Sequence, residues 1–410
     1  MAFNIKPWLK LSLLNLCIVA FLGVLMRYKI GFEFPYLDQK HLQHSHSHFA
    51  FSGWITHTLM TLMIYFLQAK IVGFSGNKYN KTIIANLICS YGMLISFIIQ
   101  GYGMYSIFFT TSTIAVSCFF GYQYFKDLKR IDNDSLSKNW FKAALVFNVF
   151  SSIGTFYLAY MMVTKNVIQD LYLSSIYFYL HFQYNGWFFF ACIGLFIGLL
   201  GLKKTDHPFY ETTFKLFALS CVPAYFLSVL WLELPLWLYL ITVAAAIIQV
   251  YAWFRFITIV IKTKTKVFEN YPGFLRYILI FAGVALGLKL LLQLGSTIPS
   301  LSEMAFGFRP IVIAYLHLIL LAVYSLFLLF YIYVKQVFII SNKIKTGVLL
   351  FAIGVFLNEI VLAIQGIAAF SYTSIPYVNG MLFSIALLLF FSIGFTLVFT
   401  LKKNKNSAIV

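Results

Sequence analysis

Long apolar segments, separated by short polar ones, recur along the whole chain. Each apolar segment is about 20 residues long, which is enough to cross a hydrocarbon core of roughly 30 Å as an α-helix. The segments and their breaks predict twelve spans, with the least certain boundary around Gly103, at residues 8–28, 47–69, 82–102, 104–125, 140–163, 175–201, 212–232, 235–258, 273–294, 310–334, 346–370 and 377–401. The pattern therefore predicts an all-α, polytopic membrane protein that forms one integral membrane domain over residues 1–410.

The distribution of Lys and Arg residues predicts how the spans are oriented across the membrane. Only 10% of the residues are charged, yet the formal net charge is +18. With the N-terminus inside, 24 Lys and Arg residues fall on inner segments, and five fall outside, namely Arg27, Lys29, Lys40, Lys165 and Arg309. This positive-inside bias predicts an even number of spans with both termini in the cytoplasm. We expect the membrane to be the bacterial inner (cytoplasmic) membrane. The positive charge is explained by topology, so nucleic-acid binding is excluded.

Two heptapeptides of the chain are nearly alike. HFAFSGW at residues 48–54 and HFQYNGW at residues 181–187 lie in the second and sixth spans, and AYLHLIL in the tenth span is a weaker third copy. Their histidines, His48, His181 and His317, are 133 and 136 positions apart, and each follows the last by four spans. The spacing predicts three quasi-repeats of four helices, roughly 1–130, 131–265 and 266–410.

The three histidines are predicted to share one depth in the membrane. Each lies within about the first two turns of an even-numbered span, so all three fall in the outer half of the bilayer. Neighbours three and four positions on share the histidine's face of an α-helix, and after His181 these are Tyr184 and Asn185. An aromatic ring beside a small polar group suits a flat prosthetic group with a polar partner for the imidazole.

Two interpretations of these histidines stay open. Neutral imidazole is a common ligand of metals and of haem iron, and a haem needs axial histidines on facing helices at one depth. A satisfied hydrogen bond between helices is the alternative for each histidine. His46 competes with His48 for a ligand role, because residues two apart point about 200° from each other.

Two further histidines extend this set. His44 and His48 share a helix face at i, i+4, which would allow a metal site at the outer mouth. His57 lies nine residues beyond His48 on nearly the opposite face of an α-helix, and it is either a packing residue or a second metal ligand.

Three other ionisable residues are candidates for function. Lys289 in the ninth span and Glu359 in the eleventh could belong to a proton path, with pairing or snorkelling as the alternative. Arg309, just before the tenth span, could meet a haem propionate, or it is an interface anchor.

Twelve spans with histidines on the second, sixth and tenth resemble subunit I of the haem–copper oxidases, a superfamily that includes the nitric oxide reductases. HSHFAFSGW at residues 46–54 also resembles the His-x-His-x(4)-Gly motif of the NnrS family of membrane haem proteins. The resemblance implies axial ligation of a haem b by His48 or His46 and by His317. It implies that His181 is a ligand of a second metal, copper in the oxidases, and that partners include respiratory subunits or an electron donor.

The chain departs from the oxidase pattern in its ligand set. The seventh span has no histidine pair, the tenth has only His317, and Tyr184 follows His181 at i+3 with no proline between them. A complete binuclear centre cannot be assembled from these residues, so enzymatic activity stays open. The expected function is a membrane haem protein, with copper as a further option, in respiratory electron transfer or in handling of oxygen or nitric oxide. The alternatives are a twelve-helix secondary transporter and a non-catalytic assembly or scaffold relative of the oxidases.

Overall fold

The computed structural model describes residues 3–403, and the regular structure in that range is helical apart from one isolated bridge between Ser135 and Lys203. A 3-10 helix, Pro223–Val229, and a short α-helix, Pro299–Gly307, accompany the long helices. The long helices are α1 (Ile5–Gly31), α2 (Gln39–Lys70), α3 (Lys78–Gln100), α4 (Met104–Leu128), α5 (Ser137–Val163), α6 (Gln169–Leu200), α7 (Pro208–Cys221), α8 (Leu236–Glu269), α9 (Gly273–Gly295), α10 (Arg309–Val334), α11 (Asn342–Phe370) and α12 (Val378–Lys403).

The helices confirm a multi-pass membrane protein. Within residues 3–403, eleven helices are long and apolar enough to cross a bilayer, and α7 makes a twelfth if it is counted together with the 3-10 helix that follows it. Each predicted span overlaps one of these helices, and the uncertain boundary near Gly103 falls in a three-residue link, 101–103. The arrangement in three quasi-repeats stays a prediction.

Several helices begin well before the apolar run that predicted them. The side chain of Asp38 accepts hydrogen bonds from the backbone N–H groups of Lys40 (2.8 Å) and His41 (3.0 Å), and so caps α2 at its start. These backbone hydrogen bonds lower the pKa of the Asp38 carboxyl. The polar stretch before residue 47 is therefore helical, and His48 lies nine residues after the first residue of α2 rather than within the first two turns.

Helix α7 and the 3-10 helix that follows it form one bent element. The bend is 46° and falls where Pro223 follows Val222. The backbone N–H of Tyr225 donates to the carbonyl of Val222 (3.1 Å) in the 3-10 pattern. The Cys221 carbonyl, which Tyr225 would contact in a continuous α-helix, is therefore left for another donor.

The chain divides into two compact units, each with a strongly buried helix. One unit contains residues 3–120, 272–282 and 321–403, and the other contains residues 121–271 and 283–320. The apolar window of α2 is 94% buried in the first unit and that of α6 is 89% buried in the second, whereas the other spans range from 17% to 56%. Polar side chains on α2 and α6 therefore face protein rather than lipid.

The two glycines of the repeated heptapeptides have different roles. A Cβ on Gly186 of α6 would lie 2.5 Å from Cβ of Phe147 on α5, so Gly186 allows the two helices to pack closely there. A Cβ on Gly53 would instead lie 2.6 Å from the ring of Phe49, a residue of the same helix. Gly53 therefore makes room for a ring one turn earlier, not for a neighbouring helix.

We expect Gly186→Ala to destabilise the protein, because the added methyl group would overlap Phe147. Overpacking of this kind lowers the free energy of unfolding by about 1–3 kcal/mol. The matched control is Gly283→Ala on α9, where a Cβ would meet no atom within 4 Å. Thermal unfolding in detergent micelles should show a lower midpoint for Gly186→Ala and no loss for Gly283→Ala; equal midpoints would contradict this packing.

Candidate functional site

The three helices that carry the candidate histidines all change from α to π hydrogen bonding directly after the histidine. The π segments are Ala50–Thr56 in α2, Phe182–Phe188 in α6 and Leu318–Ser325 in α10. They begin two residues after His48 and one residue after His181 and His317. In π segments, N–H groups bond to carbonyls five residues back. Such segments are rare in proteins, and those that occur are often found at functional sites. Nothing in the sequence pattern predicted them.

The first π segment also changes the geometry of α2. The prediction that His57 faces nearly opposite to His48 assumes α-helical spacing, and that spacing does not hold across Ala50–Thr56. Helical-wheel angles therefore apply on either side of a π segment but not through it.

His181 is fully buried and belongs to a chain of hydrogen bonds across three helices. Its Nε2 lies 2.9 Å from the carbonyl oxygen of Cys221, and its Nδ1 lies 3.0 Å from Nδ2 of Asn185. Oδ1 of Asn185 in turn accepts from Nζ of Lys289 on α9, at 2.5 Å. The i+4 spacing correctly predicted that Asn185 would partner His181. Lys289, 104 residues further along the chain, completes the group.

The hydrogen bonds fix the tautomer of His181. A carbonyl oxygen can only accept, so Nε2 carries the proton and donates to the carbonyl that the bend after α7 leaves exposed. Nδ1 of the neutral ring then accepts from the amide of Asn185. Both ring nitrogens are engaged within the protein.

A copper ion does not fit this arrangement. Either nitrogen of His181 could bind a metal only after losing its present hydrogen bond. Across the described chain, no three His, Cys, Asp or Glu side chains are grouped so that they could hold a metal ion. The metal role of His181 stays a prediction from the resemblance and gains no support from this geometry.

Lys289 is a buried basic residue of α9. Its exposed fraction is 4%, and its Nζ contacts the neutral amide of Asn185. Lys289 forms no ion pair with a carboxylate within residues 3–403. Burying an ammonium group without a counter-ion costs several kcal/mol. The Asn185 dipole is therefore its main local compensation.

The ring of His317 is oriented by its own helix. Its Nδ1 donates to the carbonyl oxygen of Ile313, one turn earlier in α10, at 2.8 Å. In the neutral ring this places the lone pair on Nε2. Ligating histidines almost always hold their second nitrogen in such a bond, which orients the ring and raises the basicity of the ligating atom. Arg309, exposed, is the first residue of α10, eight positions before His317.

His48 lies in an aromatic setting in the other unit. Its Nε2 is 3.2 Å from the hydroxyl of Tyr102, and its ring stacks on Phe97 with centroids 4.4 Å apart. The ring of His44 also contacts Tyr102, at 4.6 Å, which confirms that His44 and His48 share a face. The ring of His46 lies against α1 instead. Its Cε1 is 3.7 Å from the position that a Cβ on Gly23 of α1 would occupy.

His57 is buried next to the start of α1. Its Nε2 donates to the carbonyl oxygen of Trp8 (3.2 Å), and the two rings meet edge to face at 6.3 Å. Its Nδ1 is buried and has no hydrogen-bond partner within residues 3–403. This contact matches the packing interpretation of His57; its ligand role stays a prediction.

Two buried asparagines that the sequence analysis missed support the first π segment. Nδ2 of Asn15 on α1 donates to the carbonyl of Gly53 (2.5 Å), and Nδ2 of Asn86 on α3 donates to the carbonyl of Ser52 (3.3 Å). The indole of Trp54 donates to the hydroxyl of Ser325, which ends the π segment of α10, at 2.9 Å. Both asparagines could have been identified from the sequence, because each is an amide side chain inside an apolar span.

Glu359 stands apart from these groups. It is half-buried on α11, and its Oε1 accepts from Nδ2 of the adjacent Asn358 at 3.2 Å. Glu359 belongs to the unit that contains His48, whereas Lys289 belongs to the unit of His181 and His317. The structure thus brings His181, Asn185 and Lys289 together.

No protein-family model matches this chain, and no curated protein is significantly similar to it.

We expect Asn185→Leu to lower the free energy of unfolding, because it leaves the buried Nζ of Lys289 without a partner; Lys289→Met removes the same hydrogen bond from the other side. The cost of one such group is about 1–3 kcal/mol. Since one hydrogen bond joins the two residues, the double variant should lose less than the sum of the single losses, with a coupling of about 0.5–3 kcal/mol.

Denaturant unfolding of all four proteins would measure this cycle. Lys215→Met is the control, because Lys215 is an exposed residue of a surface ion pair and should change stability by less than about 0.5 kcal/mol. Strictly additive losses would contradict the chain of hydrogen bonds.

Proposed function

We propose that this protein is a membrane haem protein with an architecture like that of haem–copper oxidase subunit I, acting in respiratory electron transfer or in handling of oxygen or nitric oxide. We place it in the bacterial cytoplasmic membrane with both termini in the cytoplasm. The distribution of Lys and Arg over the loops supports this orientation.

The observation that carries the proposal is the repeated combination of a histidine and a π segment. It occurs in α2, α6 and α10, which are four helices apart, and each π segment starts within two residues of the histidine. One such segment could be a local irregularity. Three at equivalent places support a triplicated fold with a functional position repeated in it.

His317 is the proposed axial ligand that fits best. The chain holds its imidazole through Nδ1 and the Ile313 carbonyl, so that Nε2 is the basic nitrogen. A bound haem would supply one-electron redox chemistry and a site for small gaseous ligands. On α2 the resemblance offers His48 or His46 as axial candidates, and each is tested by its own variant. Arg309, at the start of α10, is the proposed propionate partner.

The hydrogen bonds of His181 shape the chemistry that we propose. Because the Cys221 carbonyl and Asn185 engage both ring nitrogens, His181 orients α6 against α7 instead of binding copper. Without a second metal the chain lacks the centre that oxygen reduction uses in the oxidases. Electron transfer or reversible gas binding is therefore the activity proposed.

A secondary transporter is the second candidate, and one observation favours it. Lys289 is buried with no carboxylate partner in the described chain, and such intramembrane charges often bind substrates or coupling ions. A transporter would hold no haem, so an absorbance spectrum separates the two candidates.

We expect protein purified after expression with ample haem to show a Soret band. His317→Ala should lose most of this absorbance, since it removes the best-placed axial ligand, and His48→Ala and His46→Ala test the candidates on α2. The control is His207→Asn in the loop before α7, where Nδ1 of His207 caps the helix and asparagine can replace it.

A folded, monodisperse wild-type protein with no Soret band would refute the haem proposal. Equal loss of the band in His317→Ala and His207→Asn would remove His317 from the ligand set.

A further inference from the structure

Glu359 lies in the middle of a membrane span. It is 17 residues after the first residue of α11 and 11 before the last. At 1.5 Å per residue, these separations are about 25 Å and about 16 Å along the helix axis. A glutamate side chain cannot reach water at either end of the helix from that position.

The carboxyl group sits at the border between two faces of α11. Val355 and Leu362, four positions before and three after it, are buried at 0% and 1% exposure. Phe356 and Ile360 are exposed at 52% and 38%. Glu359 itself is half-buried, so its carboxyl group is packed on one side and reachable on the other.

Within residues 3–403, this carboxyl group has no basic partner. Helix α12 packs along α11 and carries no charged residue before Lys402. Helix α9 touches α11 through the rings of Phe281 and Phe356, 6.1 Å apart, and Arg276 and Tyr277, its titratable residues in this unit, lie at least four positions before Phe281. On α11 itself, Lys343 and Lys345 are 14 or more residues away.

In the part of the chain that the structure describes, the polar partner of Glu359 is the amide of Asn358. Nδ2 of Asn358 donates to Oε1 at 3.2 Å, which leaves Oε2 for a proton. An ionised carboxylate with one amide partner in the hydrocarbon region costs several kcal/mol, whereas the protonated group is tolerated. We propose that Glu359 is a proton-binding site at the membrane midplane. This proposal does not depend on haem binding.

Dicyclohexylcarbodiimide tests the proposal, because it dissolves in the membrane and reacts with protonated carboxyl groups. The acid proton passes to a nitrogen of the reagent, a carboxyl oxygen bonds to its central carbon, and the O-acylisourea rearranges to a stable N-acylurea without another reactant. The full-length protein in lipid nanodiscs would be treated over a range of pH and its peptides analysed by mass spectrometry. We expect the adduct at Glu359.

The pH dependence of labelling is part of the expected result. Above the titration midpoint of the carboxyl group, the labelled fraction should fall about tenfold per pH unit, because the protonated fraction does. Glu359→Gln should give no adduct in that peptide. Glu211, an exposed partner of Lys215 on α7, is the internal control and should react only with a water-soluble carbodiimide and an added amine.

Three outcomes would overturn the proposal. Labelling of Glu359 by the water-soluble reagent alone would mean an ionised group in contact with water. No reaction with either reagent would mean a shielded or ion-paired carboxylate. Protection by sodium at constant pH would mean a metal-cation site. None of these readings depends on the folding of Glu359→Gln, because the wild-type protein supplies them.

Discussion

The hydrocarbon core offers no water to satisfy the backbone, and this constraint determines most of the polar contacts inside the protein. Within residues 3–403, interruptions of the ordinary helical pattern include the π segments of α2, α6 and α10 and the bend after α7. Side chains from neighbouring helices then bond to the affected carbonyls, as Asn15 does at Gly53 and His181 does at Cys221. Many polar side chains in these spans therefore form hydrogen bonds with backbone carbonyls.

The same constraint separates two histidines that look equivalent in sequence. The Nε2–H group of His181 donates a hydrogen bond to a carbonyl of another helix, and its Nδ1 accepts one from the amide of Asn185. His317 satisfies Nδ1 within its own helix, at Ile313, and so keeps the orientation expected of a ligand. Equivalent positions in a repeated pattern can thus hold a structural histidine in one repeat and a candidate ligand in another.

Much of the fold could be predicted from the sequence, and the limits are physical. Apolar length predicted the spans, and i+4 spacing predicted the contact of His181 with Asn185, because both are local properties of a helix. The pairing of Lys289 with Asn185 depends on how helices pack, which spacing along the chain does not determine. The π segments have no residue signature, although Pro223 could have indicated the bend that exposes the Cys221 carbonyl.

Metal content of the purified protein is the most direct test of the haem proposal. Iron and copper would be counted per chain by mass spectrometry, alongside total haem. One haem held through His317, with His181 kept by its hydrogen bonds, predicts about one iron atom per chain, all of it in haem, and no copper. A folded protein without iron, or one that binds copper and loses it in His181→Ala, would contradict this account.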